Sequence, residues 1–148
     1  MSQTPRCPVQ AAAHSAPEAI AWRDAKETLA YAALDTRINA VAEALRARGA
    51  SRDGTWATVS ISPRPAHVVA LFALGRLGIP VLLLNPKFPE AYRRDLLEGI
   101  PHFSADALVE EALHANETAA LSLEHGIPPE EAPFAAVFTS GSSGRPKA

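Results

Sequence analysis

The stretch HVVALFALGRLGIPVLLLNP, residues 67–86, decides the fold class of this 148-residue chain. Its first half is apolar and closes at Gly78, which predicts a mostly buried helix over residues 67–77. After the glycine, residues 79–84 form a continuous apolar run that an Asn-Pro pair ends, and such a run is typical of an interior strand in a parallel sheet. A helix that leads directly into a buried strand indicates an α/β protein.

The same stretch contains the one segment that resembles a membrane span. Residues 68–84 are just long enough to cross a bilayer, but Arg76 stands in their centre, and Gly75, Gly78 and Pro80 interrupt them. A helix, a turn and a buried strand explain the segment better. The N-terminal residues also lack the uninterrupted apolar run of a signal peptide. We therefore expect a soluble, cytoplasmic protein without a membrane span.

The residues upstream predict a hairpin, a helix and a strand. Residues 19–22 and 27–29 flank a polar turn and suit a small hairpin. Residues 31–48 place apolar side chains at helical spacing, with charges on the other face, and Gly49 stands where the helix would stop. Residues 56–61 then alternate as a strand does.

Downstream, the pattern predicts two more helices and a final strand. We expect short helices over residues 89–98 and 107–113, a surface loop over residues 114–133, and a strand over the apolar residues 134–138. Strand, helix, strand, helix and strand with short connections indicate a layered α/β fold around a parallel sheet. No linker divides the chain, so we expect a single domain over residues 1–148.

Composition excludes several classes of protein. Hydrophobic residues make up 47% of the chain and charged residues 20%, which is typical of a globular domain. Fourteen basic and sixteen acidic side chains are dispersed, and this argues against nucleic acid as a partner. Cys7 is the only cysteine, so the chain has neither an internal disulfide nor a CxxC site. Cys7 stands beside Pro8 near the N-terminus, and we expect nothing basic close enough to it to activate the thiol; His67 is interpreted as a packing or capping residue rather than a ligand.

The segment VFTSGSSGRPK, residues 137–147, carries the chemistry. Gly141 and Gly144 can adopt backbone angles closed to other residues, so consecutive N–H groups could turn toward one anion. Lys147 adds a mobile positive charge. Hydroxyl donors without bulk come from Thr139, Ser140, Ser142 and Ser143. Such a set suits the terminal phosphates of a nucleotide.

Two other interpretations of this segment are weaker. A Walker loop requires lysine directly after its second glycine, whereas Arg145 and Pro146 intervene here, and Ala148 stands where Ser or Thr would hold magnesium. A flexible glycine–serine linker would not follow a buried strand or precede Pro-Lys.

The loop resembles the T-S-G-[ST]-T-G-x-P-K motif of the adenylate-forming superfamily, which contains acyl-CoA synthetases, luciferases and nonribosomal peptide adenylation domains. Only Ser143 departs from the motif, and it keeps a hydroxyl group. The upstream chain resembles the family in order and spacing, through ETLAY at residues 27–31 and the Gly78 to Asn85-Pro86 segment. Ala30 replaces the family's usual Thr or Ser cap, and Leu83 replaces its proline.

The resemblance implies an enzyme that joins a carboxylic acid to AMP, with ATP and Mg²⁺, and then passes the acyl group to the thiol of coenzyme A. The loop residues listed above, Thr139 to Gly144 and Lys147, would hold the ATP phosphates. The family's catalytic lysine, magnesium-binding Glu and ribose-binding Asp lie further along the chain, so no catalytic or metal residue is assigned here. The chain would be the N-terminal part of the AMP-binding domain, cut just after the loop, and we expect it to be inactive alone.

Two questions stay open at this stage. A non-catalytic fragment or a scaffolding, nucleotide-binding module is the alternative to an enzyme. The acid is the second question. Three features resemble the o-succinylbenzoate–CoA ligase branch of menaquinone biosynthesis: Ala148 after Lys147, the N-P-x-x-P turn in residues 81–89, and the compact connection from Asn85-Pro86 to Thr139. Fatty-acyl and aryl-CoA ligases are close rivals.

Overall fold

A computed structural model describes residues 7–50, 53–60, 62, 64–115 and 135–137 of the chain. Five helices and six strands lie within these ranges. The helices are α1 (Pro8–Ser15), α2 (Tyr31–Ala47), α3 (Pro65–Arg76), α4 (Glu90–Leu97) and α5 (Asp106–Ala115). The strands are β1 (Ile20–Arg23), β2 (Thr28–Ala30), β3 (Trp56–Ser60), β4 (Val81–Leu84), β5 (His102–Ser104) and β6 (Ala135–Val137).

A parallel sheet of four strands forms the centre of the fold, in the order β5-β3-β4-β6. Ala57 of β3 lies opposite Val81 of β4, and Leu82 of β4 lies opposite Ala136 of β6. Helices connect the parallel strands, as chains that return to the same end of a sheet require. The predicted α/β class and parallel sheet are therefore confirmed.

The apolar run in β4 is explained by burial on both faces of the sheet. Val81 belongs to a large cluster of buried side chains that joins the sheet to α1, α2, α3 and α5. Leu82 and Leu84 belong to a second cluster, which Leu97 of α4 completes. Because successive side chains of a strand point to opposite faces, a strand covered on both sides loses the polar alternation.

Helix α2 agrees with the predicted amphipathic helix. Its inward face supplies Ile38, Val41 and Leu45, which are fully buried. Ala30 occupies the N-cap, the position at which the family usually has Thr or Ser. As expected for alanine, it forms no side-chain hydrogen bond there. Gly49 follows the helix with a φ of 89°, a conformation that favours glycine and ends the helix.

The predicted hairpin is present, because β1 and β2 pair in antiparallel fashion. Helix α3 begins at Pro65, two residues before the predicted start, since proline suits the first turn of a helix. The final strand is described over residues 135–137 only. Residues 116–134, most of the predicted loop, lie outside the described residues.

Two elements were not predicted, α1 and β5. Helix α1 has Pro8 in its first turn and buries only Val9, so its apolar pattern is weak. Strand β5 has three residues with an exposed, half-buried, exposed pattern, and pairing with β3 holds it in place. The amide of Trp56 donates to the carbonyl of Pro101 at 3.0 Å, and the amide of Ala105 donates to that of Thr58 at 2.9 Å.

The described helices include none with both the length and the apolar character needed to cross a bilayer.

Candidate nucleotide-binding edge of the sheet

All four strands of the sheet end at the same edge, because they are parallel. Open α/β sheets bind their ligands at this carboxyl edge. Val137, which pairs with Leu83, ends β6 there, and Thr139 follows two residues later in the sequence. The predicted phosphate-binding residues Thr139, Ser140, Gly141, Ser142, Ser143, Gly144 and Lys147 lie outside the described residues.

Four polar residues meet at the carboxyl ends of β3 and β4, and we call them the carboxyl-edge cluster: Ser60, Asn85, Arg93 and Asp106. The carboxylate of Asp106 accepts hydrogen bonds from the backbone amide and the hydroxyl of Ser60, both at 2.8 Å. Nη2 of Arg93 donates to the carbonyl of Asn85 at 3.3 Å and lies 3.5 Å from the Ser60 hydroxyl. The cluster therefore ties α4 and α5 to the ends of two adjacent strands.

Asn85 also forms the turn that leaves β4. Its side-chain oxygen accepts from the amide of Lys87 at 2.9 Å, and its carbonyl accepts from the amide of Phe88 at 3.1 Å. The ring of Phe88 then packs edge to face against Tyr92, with 5.0 Å between the ring centroids. An Asn side chain that binds backbone two residues ahead is a common way to stabilise such a turn.

Sequence reasoning did not find the carboxyl-edge cluster. Ser60 and Asp106 are 46 positions apart, and neither belongs to a recognisable motif. The available signal was general: a polar residue at the end of one predicted strand, and an acidic residue at the start of a helix, where the helix dipole favours it.

His67 acts within the fold, as predicted. It is buried, and its Nδ1 accepts a hydrogen bond from the amide of Ser62 at 2.7 Å. Its Nε2 lies 2.9 Å from Nη2 of Arg64, the N-cap residue of α3. The imidazole thus fixes the segment between β3 and α3. In the part of the chain that the structure describes, no group of three His, Cys, Asp or Glu residues is placed to hold a metal ion.

Arg76 is the charged residue of the apolar stretch, and the structure buries it. Its guanidinium donates to Asp35 at 2.6 Å and to Asn39, both on α2. It also donates to Sγ of Cys7 at 3.3 Å. The expectation that nothing basic lies close enough to the Cys7 thiol is therefore wrong, because Arg76 contacts it. The two residues are 69 positions apart in the sequence, and only the packing of α1 on the fold brings them together.

An open cleft of about 700 Å³ lies between the hairpin turn, α2 and the start of α3. It contains none of the carboxyl-edge cluster. Charged residues that line the cleft form ion pairs with one another or with neighbouring residues. Arg37 pairs with Glu27 at 3.0 Å, and Arg64 pairs with Glu110 at 3.6 Å. We assign this cleft no ligand.

Comparison with known proteins defines the class to which this fold belongs. The family of AMP-binding enzymes matches residues 9–101. A 4-chlorobenzoate–CoA ligase of Arthrobacter sp. is 29% identical over 161 residues, a match that covers 91% of this chain and 30% of the ligase. The nonribosomal peptide synthetase-like enzyme fsqF of Aspergillus fumigatus is 31% identical over 156 residues, which cover 91% of this chain and 10% of that enzyme.

Solved structures agree on the fold. The o-succinylbenzoate coenzyme A synthetase of Bacillus subtilis, in complex with AMP, superposes with a TM-score of 0.73 at 24% identity, over 94% of this chain and 40% of the synthetase. A further structure of that synthetase contains ATP and a magnesium ion. The N-terminal subdomain of NpsA from Klebsiella oxytoca gives a TM-score of 0.80 at 21% identity, over 94% of this chain and 38% of that chain.

The chain belongs to the AMP-binding enzyme family, within the adenylate-forming ligase superfamily. Its fold is that of the N-terminal subdomain of these ligases. It spans about a third of the length of the ligase that it matches.

Proposed function

We propose that this chain supplies the phosphate-binding segment of an enzyme that uses ATP to adenylate a carboxylic acid and then transfers the acyl group to coenzyme A. One observation carries the proposal. Strand β6, an outer strand of the sheet, pairs with β4. The TSGSSGRPK segment follows the carboxyl end of β6 in the sequence. Family membership supports the same chemistry.

The loop residues fit the phosphates of ATP by their chemistry. The hydroxyls of Thr139, Ser140, Ser142 and Ser143 donate hydrogen bonds to phosphate oxygens. Gly141 and Gly144 let the backbone amides turn toward the same anion. Lys147 neutralises the pyrophosphate as charge moves onto it, which is where electrostatic stabilisation of the transition state is largest.

The same set of donors does not fit a cation. Residues 139–148 contain no carboxylate, and the described residues contain no cluster that could hold a metal ion. Mg²⁺ prefers carboxylate and phosphate oxygens. We therefore propose that the phosphates of ATP hold the metal, and the family resemblance implies that its Glu ligand lies further along the chain.

The carboxyl-edge cluster has a supporting role in this proposal. Asp106 and Arg93 hold the ends of β3 and β4 together, and β4 is the strand to which β6 is bonded. A phosphate loop needs a rigid origin, because a displacement of its donors by about 1 Å weakens contacts to the transition state.

For the acid we propose o-succinylbenzoate, which would place the enzyme in menaquinone synthesis in the cytoplasm. The support is the resemblance of Ala148 and of the 85–89 turn to that branch, together with the superposition on the Bacillus subtilis synthetase. An aryl acid is the closest rival, since a 4-chlorobenzoate–CoA ligase is among the matching relatives.

ATP–pyrophosphate exchange by the full-length enzyme tests the adenylation chemistry. Lys147→Ala is expected to remove about 2–4 kcal/mol of transition-state stabilisation, a loss of roughly 30- to 900-fold in rate. Thioester formation from a preformed acyl-adenylate should fall much less, because pyrophosphate takes part only in the first half-reaction. Lys26→Ala, an exposed lysine in the hairpin turn, is the matched control and should leave both rates unchanged.

Equal losses in both half-reactions would contradict the role of Lys147. The acid is tested separately, by comparing kcat/KM for o-succinylbenzoate, benzoate and a medium-chain fatty acid. If o-succinylbenzoate gives the lowest value, the branch assignment is wrong and the adenylating chemistry stands.

A further inference from the structure

The guanidinium of Arg76 is a buried charge that three elements share. The residue lies at the end of α3 and is only 8% exposed. Two of its nitrogens are bonded to α2, where Nη1 donates to the side chain of Asn39 and Nη2 donates to the carboxylate of Asp35 at 2.6 Å. A buried charge of this kind is stable only when its donors find acceptors.

The hydrogen-bond donors of the guanidinium do not all have acceptors. Nε is buried and has no hydrogen-bond partner among the described residues. Nη2 lies on the same edge of the planar group as the Nε–H, and it reaches Sγ of Cys7 at 3.3 Å. On this nitrogen a sulfur, which is a weak acceptor, stands where an arginine normally binds an oxygen.

Cys7 is half-buried and forms the N-cap of α1. Its carbonyl accepts the first hydrogen bond of that helix, from the amide of Ala11 at 3.0 Å. Negative charge on an oxygen bonded to the sulfur is stabilised both by the N-terminal end of a helix and by a neighbouring guanidinium. The two effects coincide at this one thiol.

We propose that Cys7 is a modification site, at which hydrogen peroxide oxidises the thiol to a sulfenate whose oxygen accepts a hydrogen bond from Nε of Arg76. The sulfur attacks one peroxide oxygen, so that an S–O bond forms as the O–O bond breaks. The sulfur loses two electrons and the peroxide gains them. The departing hydroxide leaves as water after taking the proton that the thiol gave up, and the sulfenic acid so formed releases its own proton to solvent to give the sulfenate.

Asp35 opposes this reaction. Its carboxylate shares Nη2 with Cys7 and offsets part of the positive charge that the oxidised sulfur requires. Removing the carboxylate should therefore accelerate oxidation, whereas removing the Nε fork should slow it. A thiol that reacts only because the fold has loosened would react faster after either change.

The rate of oxidation tests the proposal on the chain as it stands. The chain is exposed to hydrogen peroxide with dimedone, which traps sulfenic acid, and the adduct on the Cys7 peptide is followed by mass spectrometry. In buffer the adduct should form at least about threefold faster than in the same chain unfolded in urea, because the guanidinium and the helix are both lost on unfolding. Equal or slower labelling in buffer would overturn the proposal.

Two variants sharpen the result. Asp35→Asn should raise the rate in buffer by about threefold, and Arg76→Lys, which keeps the charge but lacks the fork, should lower it by a similar factor. A faster rate in both variants would mean that loosening exposes Cys7, and it would also overturn the proposal. Cys7→Ser is the control and should show no adduct, since Cys7 is the only cysteine of the chain.

Discussion

At the scale of single residues, two charged side chains bear structural roles that their positions in the sequence do not reveal. Arg76 interrupts an apolar stretch and would be costly in a membrane. In the fold it reaches across to Asp35 on the neighbouring helix, and the pair has side-chain exposures of 7% and 20%. An ion pair buried to this degree fixes how α3 lies against α2, since a shift of either helix would leave a buried charge without its partner.

The second is Asp24, which organises the turn between β1 and β2. Its carboxylate accepts from the indole of Trp22 at 2.9 Å and from the backbone amides of Lys26 and Glu27 at 2.7 and 2.8 Å. These bonds, the one from Trp22 foremost, lower the pKa of the carboxyl below its ordinary value of 3.8. Hydrogen bonds to the charged form have this effect even on an exposed group.

We predict that the turn loses these bonds in acid with a midpoint below pH 3.8. Because the pKa is lower in the folded state, the stabilisation is complete above the unfolded value and disappears as the pH falls through the folded one. The indole N–H resonance of Trp22 should follow this titration in NMR spectra, while that of Trp56 serves as the internal reference. A midpoint above pH 3.8 would disprove the assignment.

At the scale of elements, α2 shows what the sequence predicts and what it leaves out. Its apolar spacing and Gly49 predicted both the helix and its end, because burial on one face and a positive φ each require particular residues. At its start, the amides of Tyr31 and Ala32 donate to the carbonyls of Ala19 and Pro17, both at 3.0 Å. The N-cap residue Ala30 offers no side-chain oxygen to the next amide of the first turn.

Ala30→Ser should therefore stabilise the chain. A serine at this position accepts a hydrogen bond from an amide of the first turn and should raise the free energy of unfolding by roughly 0.5–1 kcal/mol. Urea denaturation followed by circular dichroism measures the change. Ala33→Ser, an exposed position inside the same first turn, is the matched control, and a gain there as large as at Ala30 would show that capping is not the cause.

The elements that the sequence did not predict are those whose stability comes from distant partners. Strand β5 has no apolar pattern of its own, and it exists because its backbone completes one side of β3. Helix α1 is likewise held by packing on α2 and by the contact between Cys7 and Arg76. By contrast, the apolar run of β4 could be predicted, because each face of that strand is buried.

The same reasoning applies to the candidate site. The phosphate loop could be found as a local motif, because all of the residues that suit phosphate binding lie within eleven consecutive positions. The carboxyl-edge cluster could not be found in this way, because Ser60, Arg93 and Asp106 approach one another only after three strands have paired.

At the scale of the whole molecule, the parallel sheet presents β6 at its edge. Within the described residues β6 pairs with β4 alone, and Val137 is 52% exposed. Edge strands with exposed apolar side chains pair readily with other chains. We therefore predict that this chain associates with further copies through β6.

Val137→Lys should reduce this association, because a charge on an edge strand opposes pairing. Sedimentation velocity of the chain at several concentrations measures it. Ile20→Lys changes the other large exposed apolar side chain among the described residues, which lies in the hairpin, and should leave the association as it was. If both variants behave alike, the sheet edge is not the contact.

The order of strands in the sheet also sets the order in which the molecule can assemble. Pairing Ala57 with Val81 closes 24 residues of chain (57 to 81), whereas pairing Val81 with Ala135 closes 54 (81 to 135). The longer closure costs roughly 0.7 kcal/mol more in chain entropy, and it also waits for residues that leave the ribosome later. We therefore expect the β3–α3–β4 unit to fold early, and the strand that leads to the phosphate loop to be the last of the described strands to join, by pairing with a β4 that is already in place.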